Sequence, residues 1–255
     1  MDGSPILMQM PKVGQSLDRR TARERIAEKL MVLIATDMLR PGDELPGERE
    51  LASVLHVSRE TMRGAIQSLA ARGVVEVSQG SRTRVCHVDL SHLTVTIAAP
   101  NAIDRYDLDS VHAARLCVEL KVVGDAADKI DARTLGTLAD LLDAQRLCGE
   151  DVVRFLICDR EFHVTVYRAS GNPLLADFVT DLYTYMMNHR RKAVSRPGAI
   201  AASLADHVAI VAALGRRDRS AVVEAFRQHL VNIYTTTSQL LAGDATAANT
   251  DILTN

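Results

Sequence analysis

The chain has no tryptophan, aromatic residues make up only 4% of it, and its four cysteines include no Cys-x-x-Cys pair. So few rings cannot fill an aromatic-packed β-sandwich. The apolar content is carried by Ala, Val, Leu and Ile, which suits closely packed helices. Cys86, Cys117, Cys148 and Cys158 lie scattered in apolar or helical patterns, which argues against a disulfide framework or zinc ribbon and fits a reducing compartment. No stretch approaches the ~18 unbroken apolar residues of a membrane span. The opening segment contains Ile6-Leu7-Met8 but no basic leader, long apolar core or small-residue cleavage site, so a cytoplasmic location is expected. Internal repeats and low-complexity tracts are also lacking. Neither sign of charge dominates: 30 basic against 32 acidic side chains leave a net −2.

What is present is an ordinary soluble composition, 47% hydrophobic and 24% charged over 255 residues, long enough for two domains. The balanced total hides a lean. Residues 1–86 hold 13 basic and 11 acidic side chains, whereas the remainder holds 17 and 21, and Val57 to Cys86 alone carries five Arg against two Glu. From Thr21, a candidate N-cap, the apolar set Ile26, Leu30, Leu33, Ile34 and Met38 recurs at helical spacing until Pro41-Gly42. Pro46-Gly47 opens a short helix with Leu51, Ala52 and Leu55 inward, and a third helix runs from Ser58 to about Arg72 over Met62, Ala65, Ile66 and Leu69. Gly73 stops it. Val74–Val77 and Arg82–Val85 are β-like around a turn at Ser78-Gln79-Gly80-Ser81. Helix, short helix, helix and hairpin in that order predict a winged helix-turn-helix.

Residues 87–105 read as a linker with weak periodicity. Beyond them six helical patterns follow: Leu108 to Ile130, Ala132 to Leu147, Val152 to Ala169, Pro173 to Ser195, Pro197 to Leu214 and Arg219 to Leu241. The predicted organisation is mainly α. It comprises an N-terminal segment 1–18, a winged-helix domain 19–86, the linker, an all-α bundle 106–241 of six to seven helices, and a polar tail 242–255.

On the third helix Arg59, Arg63 and Gln67 recur every fourth residue, opposite the apolar stripe, and form one exposed polar ridge. Arg can donate two parallel hydrogen bonds to guanine and Gln can pair with adenine, so the ridge has the donor geometry to read a major groove. Ser58 and Thr61 at the helix start can serve a phosphate, and Arg82 and Arg84 on the hairpin can reach phosphate or minor groove. The competing reading is a solvated face partly neutralised by Glu60. The run Leu45-Pro46-Gly47-Glu48-Arg49-Glu50-Leu51-Ala52, then His56-Val57-Ser58-Arg59-Glu60-Thr61-Met62-Arg63, then Gly73-Val74-Val75-Glu76 and Gln79-Gly80, resembles the GntR family of bacterial transcription regulators. The resemblance implies base contacts from Arg49, Arg59 and Arg63 and a wing tip at Gln79 and Gly80 entering the minor groove. Gly47 stands where that family usually has Ser, and Glu60 where a small hydroxyl residue is frequent.

In the second half, Asp159 and His163 fall within the apolar stripe of Leu156, Phe162 and Val166 rather than opposite it. A buried carboxylate needs a cation, hydrogen bonds or a metal, and this i, i+4 spacing lets two side chains hold one ion. His207 interrupts Leu204, Val208 and Val211, and His229 interrupts Phe226, Leu230 and Ile233. Three imidazoles and a carboxylate suit Zn²⁺ first, with Ni²⁺ or Mn²⁺ also matched. For each histidine the alternative is a core imidazole bonded to a backbone carbonyl. Residues 106–241 resemble the FadR C-terminal (FCD) effector domain in its metal-containing branch, through Asp159-Arg160-Glu161-Phe162-His163, Gly171-Asn172-Pro173, His207 and His229. Arg115, on the stripe of Val111, Val118 and Val122, is by that resemblance a clamp for an effector carboxylate. The alternative is an internal ion pair with Glu119 or Asp159.

The expectation is therefore a ligand-responsive transcription regulator, not an enzyme. It would be a repressor binding a pseudo-palindromic operator as a homodimer and sensing a small carboxylate at a metal site, with no membrane partner. Two other readings compete: a metal-dependent hydrolase-like enzyme, and a DNA-binding regulator whose metal is only structural.

Overall fold

A computed structural model describes residues 21–36, 38–77, 82–87, 106–185 and 187–252. The described residues form ten helices and one two-stranded sheet: α1 Ala22–Ala35, α2 Glu48–Val54, α3 Arg59–Ala71, β1 Val75–Glu76, β2 Arg84–Val85, α4 Leu108–Lys129, α5 Ala132–Arg146, α6 Val152–Ala169, α7 Pro173–Tyr185, α8 Met187–Val194, α9 Ala199–Gly215 and α10 Arg219–Ile252.

The first unit is a winged helix-turn-helix whose punctuation is chemical. Thr21 caps α1 in a reciprocal box with Glu24, and the Ser58 hydroxyl accepts from the Thr61 amide at 3.1 Å to start α3. Gly47 precedes α2 without a side-chain cap, as expected of a glycine in a position where Ser could bond. His56 takes φ +51° in the turn between α2 and α3. The end of α3 is a Schellman motif: Val74 N–H donates to the Leu69 carbonyl and Gly73 N–H to that of Ala70, with Gly73 at φ +69°. β1 and β2 pair antiparallel, Val75 against Val85 and Glu76 against Arg84, and Glu44 adds a bridge to Arg84. Leu30, Met38, Leu39, Leu45, Met62, Ala65 and Leu69 are fully buried beneath α3, leaving its ridge outward.

The second unit is the helical bundle. Asp107, Asp131 and Asp151 accept from the amides of Ser110, Thr134 and Arg154 and so cap α4, α5 and α6. Each cap places an acidic group where the helix dipole favours it. α4 packs along α10 and across α6, while α5 lies against α6 and α9. Phe155, Phe162, Val166, Tyr167, Val179, Tyr183, Ile210, Val222 and Phe226 fill the interior. The stretch expected as one helix from Pro173 to Ser195 forms two, α7 and α8, on either side of residue 186. At the other end α10 continues to Ile252, beyond the Leu241 at which periodicity stops and into the expected tail; Ala245, Ala247 and Ala248 favour helix without producing an apolar stripe. No described helix is long and apolar enough to cross a membrane. All four cysteines are free thiols.

The two units meet through ion pairs. Arg191 of α8 donates to both carboxylate oxygens of Asp43, at 2.7 and 2.9 Å, and to the Met38 carbonyl at 2.7 Å. Lys29 of α1 donates to Glu161 of α6 at 2.6 Å, and Arg154 of α6 pairs with Glu50 of α2.

Candidate metal centre and nucleic-acid interface

The bundle places His163 of α6, His207 of α9 and His229 of α10 together, all fully buried, with one ligand atom from each within 4.8 Å of the others. The groups behind the rings decide which nitrogen faces inward. Tyr167 Oη donates to Glu119 at 2.6 Å, so at 3.4 Å it is free to accept from His163 Nδ1. His207 Nδ1 lies 2.8 Å from the Gln145 carbonyl oxygen, and His229 Nδ1 lies 3.1 Å from an Asp206 carboxylate oxygen. Each contact assigns the proton to Nδ1 and leaves a lone pair on Nε2. The Nε2 atoms of His163 and His229 then face each other at 3.3 Å, and that of His207 is buried with no hydrogen-bond partner. Asp159 presents Oδ1 3.5 Å from His207 Nε2 and 3.9 Å from His163 Nε2.

Lone pairs turned toward one another in a dry interior repel unless a cation lies between them. Three imidazole nitrogens with a carboxylate oxygen fit a borderline divalent ion, and the outward Nδ1 bonds fix the rings for it. Burial, foremost, pushes all three imidazoles below their ordinary value, which keeps them neutral and able to ligate. Burial alone would raise the Asp159 carboxyl. The Arg190 guanidinium outweighs it and holds the group well below the usual carboxylate range.

Arg190, on α8, is the cation that the periodicity did not single out. It donates to Asp159 through Nε at 3.3 Å and Nη2 at 3.0 Å, and Nη2 also reaches Ser203 Oγ at 2.6 Å; Tyr183 adds a 2.6 Å bond to Asp159. Arg115 lies elsewhere. Its guanidinium is 4% exposed and engages both carboxylate oxygens of Glu119, at 2.5 and 3.4 Å. It connects to the cluster through Glu119, Tyr167 and His163. A small cleft of about 60 Å³ opens beside His229, between Arg190 of α8, Ser203 and Asp206 of α9, and Asn232 of α10.

On the first unit, Arg49, Ser58, Arg59, Arg63, Gln67 and Arg82 are exposed and Thr61 is half-buried, while Gln79 and Gly80 lie outside the described residues. Arg59, Thr61, Arg63 and Gln67 line one open groove of about 860 Å³ with Thr21, Arg23 and Gly64. Arg23 of α1 escaped the sequence reading. Its side chain crosses Gly64, where a Cβ would lie 2.5 Å from Arg23 Cδ, so the glycine lets a further guanidinium lie against the ridge. Arg63 Nε meets Glu48 at 3.1 Å and Arg84 meets Glu44 at 2.9 Å, both on the surface.

Two family models match the chain: "Bacterial regulatory proteins, gntR family" over residues 22–85, and the FCD domain over residues 110–232. The chain belongs to the GntR family. It is a transcription regulator with a GntR helix-turn-helix and an FCD domain. The HTH-type transcriptional repressor NanR of Cronobacter sakazakii is 28% identical over 245 residues, covering 88% of this chain and 90% of that one. The HTH-type transcriptional regulator YcbG of Bacillus subtilis is 29% identical over 168 residues, 66% and 70% of the two chains. Among solved structures, E. coli McbR/YncC shares the fold, with a TM-score of 0.54 at 19% identity, covering 87% of this chain and 99% of that one.

Proposed function

We propose that this GntR-family regulator is a metal-dependent repressor that binds a two-fold operator as a homodimer and responds to a small carboxylate at the FCD cluster. The observation that carries the sensing half is the inward convergence of three Nε2 lone pairs beside Asp159. His163, His207, His229 and Asp159 would hold the ion, with Zn²⁺ the best match and Ni²⁺ or Mn²⁺ alternatives. Bound there, the metal would act as a Lewis-acid anchor for a carboxylate oxygen, and Arg190, though its fork is engaged by Asp159 and Ser203, adds positive charge to the wall of the adjoining cleft.

For the operator half, Arg59, Arg63 and Gln67 read base edges, Arg49 joins them, Ser58 and Thr61 hold phosphate, and Arg82 adds a phosphate contact from the hairpin. Gln79 and Gly80, by the family resemblance, would contact the minor groove. One such module makes too few contacts for useful specificity, which calls for two half-sites. The similarity to NanR, a transcriptional repressor, supports repression as the sign. Leu174 and Phe178, one turn apart on α7 and 77% and 50% exposed, give the single chain an uncovered apolar stripe suited to a partner copy.

A second reading, a purely structural metal, is favoured by the complete burial of His163, His207, His229 and Asp159, beside only a small cleft. The experiment is selection of bound duplexes from a random library, followed by titration of the selected operator with the protein as purified, chelated and Zn²⁺-reloaded, together with elemental analysis. Sensing predicts stoichiometric metal and an operator affinity that small carboxylates change only in the metal-loaded form. Ligand response that survives chelation would leave the metal structural, and failure to bind any duplex at low salt would refute the regulator reading.

A further inference from the structure

Neighbouring residues on one eight-residue helix serve the two units of this protein. Arg190 holds the Asp159 carboxylate with two donors and reaches Ser203, so it is fixed to the chelating cluster. Arg191 holds the Asp43 carboxylate with two donors and the Met38 carbonyl with one, so it is fixed to the DNA-binding unit. Its target is not a passive surface group. Asp43 Oδ2 also accepts the Arg40 amide, and the Asp43 carbonyl accepts the Val85 amide of β2. In the same corner Gly42 N–H donates to the Val85 carbonyl and Leu45 N–H to that of Thr83. Arg191 therefore grips the segment on which the base of the wing is hung.

The cleft explains why α8 would move. Arg190, Ala193 and Val194 form one wall of a small cleft, about 60 Å³, that adjoins the cluster at His229. Its opposite walls are long helices, α9 of 17 residues and α10 of 34, packed against each other, whereas α8 has eight residues. Admitting a ligand, or drawing Asp159 toward an ion, is easiest by displacing the short wall, which carries Arg191 with it.

We propose that Arg190 and Arg191 are a pair of positioning residues through which the occupancy of the Asp159/His cluster sets the geometry of the wing base at Asp43. The link deepens the sensing reading above and takes its biological meaning from it, but it is a property of this chain's own ion pairs and can be tested with and without metal. The two arginines act in series, so cutting the second must silence events at the first.

The test is hydrogen exchange by mass spectrometry on the full chain, following peptides that contain the Gly42, Leu45 and Val85 amides. In chelated protein Asp159→Asn, which weakens the hold on Arg190, should speed exchange there by about fivefold or more. In an Arg191→Gln background the same substitution should change it less than about twofold. Asp43→Asn should silence the response in the same way. Adding Zn²⁺ alone to the wild type should change exchange in those peptides, and Arg191→Gln should take up the same Zn²⁺ without that change. Equal responses in the two backgrounds overturn the proposal, as does Zn²⁺ uptake or Asp159→Asn without effect on the wild-type peptides. If elemental analysis finds no Zn²⁺ uptake, the metal reading fails while the Asp159→Asn arm still decides the link. Unchanged exchange in α5 and a native circular dichroism spectrum serve as the fold control, and Arg190→Met replaces Asp159→Asn if that variant fails it.

Discussion

Acid should unfold the metal-free protein unusually early, and the size of the effect follows from three buried rings. His163, His207 and His229 are fully buried, and burial holds each below the ordinary imidazole value of 6.5, His163 and His207 well below it. In the unfolded chain the same rings protonate normally, so below neutrality the unfolded state binds more protons and gains on the folded one. The sign is thus fixed: stability is complete above the ordinary value and is lost as pH falls toward the depressed one. A ring that stays neutral in the fold withdraws about 1.4 kcal/mol between about pH 7.5 and 5.5. His163 and His207 together give ~2.7 kcal/mol, and His229 raises the total to at most about 4 kcal/mol, against the 5–15 kcal/mol typical of a whole domain. Urea titrations of the chelated full chain at the two pH values, followed by circular dichroism, would measure it. Reloading with Zn²⁺ should raise stability at about pH 7.5 and move the acid loss to lower pH, because an ion that binds only the folded state adds RT ln(1 + [M]/Kd). A chelated protein whose stability stays within about 1 kcal/mol across that interval would refute the account. An identical loss in a His163→Gln/His207→Gln double variant would do so as well.

Three further outcomes test other parts of the structure. Arg63→Ala should weaken the selected operator by about 1–3 kcal/mol and flatten base preference at one position, while Arg82→Ala should weaken all duplexes alike; uniform weakening by Arg63→Ala removes its base-reading role. Arg115→Met leaves the Glu119 carboxylate buried with only the Tyr167 hydroxyl, and should destabilise the fold by roughly 3–5 kcal/mol in urea titrations. Adding Glu119→Leu should recover most of that, and a single variant as stable as wild type would contradict the pairing. Asp206→Asn, which takes the carboxylate from His229 Nδ1, should weaken Zn²⁺ binding about 10–100-fold in a competition titration, and an unchanged affinity would show that the ring needs no such orientation.

The ridge of α3 was legible because it depends on one helix. Apolar residues at Met62, Ala65, Ile66 and Leu69 fix the buried side, and Arg59, Arg63 and Gln67 can only face outward. The three histidines were legible by a weaker logic: each interrupts an apolar stripe, and a polar group in such a place must find a buried partner. What periodicity could not supply is the identity of that partner. Gln145, Asp206 and Tyr167 stand behind the rings from separate places on α5, α9 and α6, and no local pattern joins them.

Arg115 and Arg190 show the same limit from opposite sides. Arg115 stood out because it breaks an apolar face, yet breaking a face says only that an anion is near, and Glu119 one turn on was already sufficient. Arg190 did not stand out, because Asn188-His189-Arg190-Arg191-Lys192 is polar at every position and reads as a solvated helix with no stripe to interrupt. The structure divides that polar run between two anions: Arg190 turns inward to Asp159 and Arg191 crosses to Asp43. A helix with an apolar side needs only one neighbour to hold it, and its ion pairs can be incidental. This short helix is held by buried Ala193 and Val194 at its end and otherwise by the two anions it meets, so a change at either anion is felt by the element. That makes α8, the least hydrophobic segment of the bundle, the part whose position depends most directly on the charge state of the cluster.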